Sequence, residues 1–285
     1  MTESPTRPAL RYHGGKWMLA PWIIGFFPAH RVYAEPFAGA ASVLLRKPRS
    51  YAEVYNDLDG EVCNLFRVLR DEDLAPKLAE QLRLTPFARE EFLGAYVATD
   101  EPVERARRTV IRSFMGFGTT TLRHSRTGFR SKGLRAGQPP QVDWTNYPGH
   151  VDQLTNRLRG VVIENRPAED LIRHQDSQET LFYADPPYVH DTRSSIKTGS
   201  HAGTAYRHEM TDEDHTRLAE VLTAARGMVV LSGYHSPLYD ELYAGWERRE
   251  RECLSDGAQP RTEVLWLNEA CSAALAATGQ QALIA

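Results

Sequence analysis

Long apolar runs are missing from this chain of 285 residues. No stretch approaches the roughly 18–20 apolar residues that a membrane-spanning helix needs. Cysteine is scarce as well: Cys63, Cys253 and Cys271 are far apart and form no CxxC pair. That spacing excludes a disulfide framework and a cysteine-built zinc site, and it points to a reducing compartment. Ten histidines include no HExxH pattern, so no metal is expected. The phosphate-loop spacing GxxxxGK[ST] is absent, because Gly14-Gly15-Lys16 supplies only a pliable backbone and one cation. No internal repeat is found, and the opening MTESPTRPAL lacks the basic and apolar regions of a secretory signal.

A net charge of −3 argues against a protein that coats nucleic acid by bulk attraction. The average hides a local excess. Between Arg105 and Val142 lie Arg105, Arg107, Arg108, Arg112, Arg123, Arg126, Arg130, Lys132 and Arg135, with no Asp or Glu among them. Such a block can supply phosphate contacts, or it can be an ordinary solvated face. The remaining composition, 41% apolar and 25% charged, is that of a globular protein. Its length suffices for one large domain or one domain with an insertion.

Residues 1–10 read as a loose tail, followed by a short helix within 16–27 that stops near Pro28. Strands are predicted over 31–35 and 52–55, with a small-residue helix from Ala40 between them. Val62, Leu65, Phe66 and Leu69 then repeat at helical spacing. Strand, turn, helix, strand and helix in this order describe the nucleotide-binding half of an α/β fold. The rhythm breaks over 72–145, which holds short helices, an amphipathic stretch over 103–114 and a Gly-, Thr- and Arg-rich hairpin or loop. It resumes with a helix over 151–158, strands over 160–164 and 181–184, and a helix near 167–172. Residues 189–210 show no periodicity and read as a mobile loop beside the site. Thr211 and Asp214 form a helix-start signal. A strand over 229–231, an antiparallel pair over 247–254 and 261–267, and an Ala-rich terminal helix follow.

The most informative residues are Asp185-Pro186-Pro187-Tyr188, which follow the apolar strand Leu181-Phe182-Tyr183-Ala184. This corner offers a carboxylate, carbonyls without competing N–H donors, and an aromatic face. A planar ring bearing an amine can be held there between acceptors and a stacking surface. Glu35-Pro36-Phe37-Ala38-Gly39 ends the first strand. Its glycine permits close approach to a ligand, and its acid suits a cationic amine or sulfonium better than a phosphate. The other reading is a tight structural turn. Asn56-Asp57 ends the second strand, where acidic residues accept ribose hydroxyls, although an Asx turn at a helix start fits equally.

Taken in order, Arg11-Tyr12-His13-Gly14-Gly15-Lys16, Glu35-Pro36-Phe37-Ala38-Gly39, Asn56-Asp57 and Asp185-Pro186-Pro187-Tyr188 resemble the motifs of the Dam-type (D12 class) adenine-specific DNA methyltransferases. The resemblance spans about 11–268. It implies an α/β, class I Rossmann-like methyltransferase sheet with an inserted, mainly helical DNA target-recognition domain. The catalytic domain would comprise 1–71 and 146–285, and the insertion 72–145. The implied cofactor is S-adenosyl-L-methionine, surrounded by Tyr12, Gly15, Lys16, Glu35, Pro36, Phe37, Gly39, Asn56, Asp57 and Asp185. Asp185 and the Pro186 backbone would accept the adenine N6 amine, Pro187 would stiffen the corner, and Tyr188 would stack on the extruded base. Arg112, Arg123, Arg126, Arg130 and Lys132 would meet DNA.

The implied partner is double-stranded DNA, and the resemblance allows a cognate restriction endonuclease as a second. It further implies a monomer, acting in the cytoplasm of a bacterium or of a phage-infected host. One departure stands out. Related enzymes carry Gly-Asp-Phe ahead of the catalytic strand, where this chain has Asn165-Arg166-Pro167. The competing functions are cytosine N4 methylation, RNA methylation, and an inactive DNA-binding protein on the same fold.

Overall fold

The computed structural model describes residues 4–118, 127–131, 139–189, 208–254 and 260–279. Seven strands form one sheet: β1 (Val32–Glu35), β2 (Ala52–Asn56), β3 (Val162–Glu164), β4 (Thr180–Ala184), β5 (Met228–Gly233), β6 (Glu247–Leu254) and β7 (Pro260–Leu267). Their spatial order is β3-β2-β1-β4-β5-β7-β6. The first five run parallel, whereas β7 is antiparallel to both β5 and β6. The α/β class expected from the sequence is borne out.

The helices in chain order are α1 (Ala20–Gly25), α2 (Ser42–Arg46), α3 (Gly60–Arg70), α4 (Leu74–Leu84), α5 (Arg89–Gly94) and α6 (Pro102–Met115). After them come α7 (Pro140–Asn146), α8 (Val151–Leu158), α9 (Ala168–Gln175), α10 (Asp212–Ala224), α11 (Pro237–Leu242) and α12 (Glu269–Thr278). Every residue of β4 and β5 is buried, as central parallel strands covered on both faces require. Alternation divides their side chains between two cores. Leu181, Tyr183, Val230, Leu265 and Leu267 join the apolar residues of α1–α6, α8 and α12. Phe182, Ala184, Val229, Leu231, Val264 and Trp266 pack with α9, α10 and α11.

Local signals set the helix starts. Asp59 accepts the Glu61 amide at the start of α3, and Glu101 accepts from Val103 and Glu104 at α6. Thr211 and Asp214 form the full reciprocal cap of α10, as their spacing predicts. Two short helices, α7 and α11, were absent from the sequence reading. Both begin at proline, which fits a first helical turn but gives no periodic pattern in so few residues.

The loose-tail expectation is overturned for residues 7–10. Ala9 and Leu10 are buried. Arg7 lies over the Phe114 and Tyr147 rings and donates to Asp143 Oδ1 at 2.9 Å, while the Tyr147 hydroxyl donates to Ala9 O. These partners lie more than a hundred residues away, so no local pattern announces them. The mobile-loop expectation falls mostly on residues 190–207, outside the described residues.

Helices α4 and α6 share the core cluster of α3 and the sheet through Leu78, Leu82, Val110 and Phe114. Four of the nine cations of the basic block lie on α6 beside this packing. Arg105 and Arg112 both bind Glu61 of α3, at 2.7 and 3.0 Å. Arg107 binds Glu91 and Glu104, and Arg108 binds Glu104. These acids, Glu61, Glu91 and Glu104, come from sequence positions outside the block and offset part of the charge of its first four arginines. No helix among the described residues is long and apolar enough to cross a membrane.

Candidate functional site

The site forms where the parallel strands end. Glu35 closes β1, and the chain turns through Gly39 at φ +48° and Ala41 at φ +53° before α2 begins. The positive φ at Gly39 strains any side chain, and its surroundings exclude one. A Cβ there would lie 2.8 Å from Tyr12 Cε1, so the Tyr12 ring rests directly on the glycine. Tyr55 donates to Gly39 O at 2.9 Å, and the Gly39 amide donates to Asp57 Oδ2 at 2.8 Å. The turn is therefore fixed by β2 from below and by the 12–15 segment from above.

A pocket opens beside this turn, bounded by Tyr12, Gly15, Lys16, Glu35, Phe37, Gly39 and Asp185. Ser42 and Tyr183 complete its wall. Seven residues expected around one ligand are thus brought together from three separate stretches. Pro36, Asn56 and Asp57 stand behind the lining. Asn56 is fully buried and donates to Pro36 O and Arg166 O at 2.8 and 3.0 Å, which ties the β1 turn to the exit of β3. Asp57 Oδ1 accepts the Asp59 amide at 2.8 Å, so the Asx-turn reading is realised in its geometry.

Electrostatically the pocket is acidic. Burial pushes the Glu35 carboxyl up to about 8, against the opposing donors Tyr33 and Leu44. The Tyr33 hydroxyl donates to Glu35 Oε1 at 2.5 Å. Burial likewise raises Asp57 to about 6, opposed by the Asp59 and Gly39 amides. A phosphate is a poor occupant of such a pocket. A cationic amine or sulfonium fits, because its charge offsets the penalty of keeping Glu35 ionised.

Asp185 follows β4, and its Oδ1 accepts from Lys16 Nζ and Ser232 Oγ at 2.9 and 2.8 Å. The Tyr183 and Ser232 hydroxyls lie 3.0 Å apart beneath it. Lys16 is buried; its Nζ also donates to Gly14 O at 3.0 Å and lies 3.6 Å from Glu263 Oε1. Pro186 is buried and Pro187 half-buried. The Tyr188 ring is buried between Lys16 Nζ, 4.8 Å from its centroid, and the Tyr234 ring at 4.4 Å. Its hydroxyl donates to Glu263 Oε1 at 2.8 Å.

Ser232, Tyr234 and Glu263 join the site although their sequence surroundings mark only strands. For Glu263 the available signal is an acid at the head of the apolar run Val264-Leu265-Trp266-Leu267. Of the expected DNA-contacting residues, the two described, Arg112 and Arg130, do not line the pocket. Arg112 is held by Glu61, and Arg130 Nη1 donates to Phe114 O at 3.1 Å beside the Gly116–Phe129 bridge. Arg123, Arg126 and Lys132 lie outside the described residues.

Residues 12–254, most of the chain, match the sequence model of the D12 class N6 adenine-specific DNA methyltransferases. The chain belongs to this family. It is an S-adenosylmethionine-dependent, adenine-specific DNA methyltransferase, with the Rossmann-like sheet and helical insertion of that family. No curated protein matches it significantly. The pocket of this methyltransferase suits the donor that the family implies: a glycine that must stay bare, an acidic wall, and Asp185 at one end.

The departure at 165–167 is structural as well. Asn165 Nδ2 donates to Asp57 O and Leu58 O at 2.8 and 3.1 Å, and the Arg166 amide donates to Asn56 Oδ1 at 3.1 Å. In this methyltransferase, the polar groups here brace the end of β2. Of the two nearby acids, Glu169 is half-buried, and Asp170 is exposed and paired with Arg173.

Proposed function

We propose that the protein methylates N6 of adenine at a specific site in double-stranded DNA, after rotating the base out of the helix. The observation that carries this reading is the position of Asp185 at the boundary between the glycine-lined pocket and the buried Tyr188. S-adenosyl-L-methionine, held by Glu35, the Gly39 turn and the Tyr12 ring, supplies an electrophilic methyl group, with Asp57 reaching the ribose.

Lys16 and Ser232 both engage Asp185 Oδ1, which leaves Oδ2 to accept from the adenine amine. The Pro186 carbonyl is the second acceptor. Two acceptors draw the nitrogen lone pair out of conjugation with the ring and aim it at the methyl carbon. The rate gain then comes from orientation and preset electrostatics. Asp185 need not act as a strong base, because a methylated ammonium centre loses its proton readily. Tyr188 stacks on the extruded base and offsets part of an unstacking cost of a few kcal/mol.

Residues 72–145 form the recognition unit. Arg130, together with Arg123, Arg126 and Lys132, reads base edges or neutralises phosphates, and Arg112 adds charge once DNA phosphates displace Glu61 from it. Asp185→Ala should abolish methylation while preserving most DNA affinity. Nucleoside analysis of the product should give N6-methyladenine. Normal turnover by Asp185→Ala, or N4-methylcytosine as the product, would overturn the reading.

A further inference from the structure

Glu263 is a deeply buried acid at the catalytic end of the sheet to which the transfer reaction gives no task. It is 2% exposed, and burying an unpaired carboxylate this deeply is strongly unfavourable. Its carboxylate oxygen Oε1 takes the Tyr188 hydroxyl at 2.8 Å and faces Lys16 Nζ at 3.6 Å. Topology explains how it arrives there. Because β7 runs against β5, its first residues lie beside the last residues of β5, with Gly233 opposite Val264, at the same sheet end where β4 finishes. Glu263 alternates with Val264 and so shares a sheet face with Leu265, Tyr183 and Ser232.

The rotation of an aromatic ring about its χ2 is broad, and stacking on a mobile base does not by itself choose one ring plane. A hydrogen bond at the far end of the ring does choose one. Tyr234 meets the Tyr188 ring edge-on, at 63° between planes, and Lys16 Nζ lies over the ring, 4.8 Å from its centroid. The hydroxyl therefore serves as a handle and the ring as the working surface.

We infer that Glu263 is a positioning residue of the methyltransferase: by accepting the Tyr188 hydroxyl it fixes the plane on which the extruded adenine stacks, with Lys16 as the counter-ion it shares with Asp185. This rests on the stacking role proposed for Tyr188. It makes tyrosine, rather than phenylalanine, the residue the geometry requires at 188.

The test is a double-mutant cycle between Tyr188→Phe and Glu263→Leu, read by single-turnover methylation of duplex DNA. A 2-aminopurine at the target position reports how the extruded base is held. Each single variant should lose about 10- to 100-fold in rate, with the KM for the donor unchanged and the 2-aminopurine emission altered. The double variant should be no slower than the slower single, because both remove the same bond. Glu263→Gln should recover at least a tenfold part of the leucine loss, since its amide oxygen still accepts the phenol proton.

Multiplicative losses in the double variant, or a glutamine variant as slow as leucine, would overturn the inference. If Glu263→Leu fails to fold, Tyr188→Phe decides alone: a wild-type rate with unaltered 2-aminopurine emission would refute the handle. A wild-type enzyme that methylates no adenine would instead defeat the proposed function itself.

Discussion

Lys16 Nζ stands 2.9 Å from Asp185 Oδ1 and 3.6 Å from Glu263 Oε1, so one buried cation serves two acids delivered by β4 and β7. Removing it leaves both without their charge partner. Lys16→Met should lose about 3 kcal/mol of stability near pH 8, as broken buried pairs do. Burial already raises the Glu263 carboxyl above its ordinary value, and Lys16 lowers it. An acid whose folded value exceeds its unfolded value holds its proton more tightly when folded. Its contribution to stability is therefore largest at low pH and lost as pH rises. The deficit of Lys16→Met should shrink toward pH 5 in urea titrations, and a pH-independent deficit would contradict the pairing.

Glu35 governs how donor binding responds to pH. Its carboxyl is raised to about 8 by burial, so it is largely protonated in the empty pocket at pH 7. A cationic ligand favours the ionised form and should expel about one proton near that pH. Affinity should climb as pH rises from about 5 to 8 and then level. Calorimetry in two buffers of different ionisation heat measures the release directly. Glu35→Gln should abolish both the release and the slope.

Gly39→Ala tests the turn. Its φ of +48° is unfavourable for alanine by about 1–2 kcal/mol. The added Cβ would also displace the Tyr12 ring, now 2.8 Å away. We expect a lower thermal midpoint and weaker donor binding. DNA affinity in the absence of donor should stay close to wild type, and an equal loss in both ligands would point to general misfolding.

Glu61 restrains two arginines of the basic block. Glu61→Gln should release Arg105 and Arg112 and weaken the α3–α6 contact, lowering stability by about 1 kcal/mol once solvent screening of these partly exposed pairs is allowed for. If the freed cations reach phosphate, the slope of log K against log salt for duplex DNA should steepen by up to about two. An unchanged slope would mean that this helix lies away from DNA.

Much of the fold was legible because the strands carry period-correct apolar runs. Leu181–Ala184 and Val229–Leu231 are short and continuously apolar, as buried parallel strands are, and Thr211 with Asp214 spells a helix start. The pocket was legible through residues at strand ends, where an α/β sheet collects its ligands. The packed 7–10 segment and the pairing of the basic block were not, since Asp143, Tyr147, Glu61 and Glu91 lie far away in sequence. Charge counting over 105–142 registers the arginines and misses Glu104, one residue before the window, together with the acids that arrive from other helices.

By itself, the sequence determined the chemistry on offer: Asp185-Pro186-Pro187-Tyr188 as an amine-holding corner, Gly39 as a bare turn, and the order of motifs that tells donor site from target site. These are local properties of residue type and strand register. Only the tertiary structure decided which groups hold that corner in place. Glu263 sits 75 residues from Tyr188 and reaches its hydroxyl because β7 enters the sheet reversed. Strand direction is set by the pairing of β5, β6 and β7, and no side chain near Tyr188 encodes it.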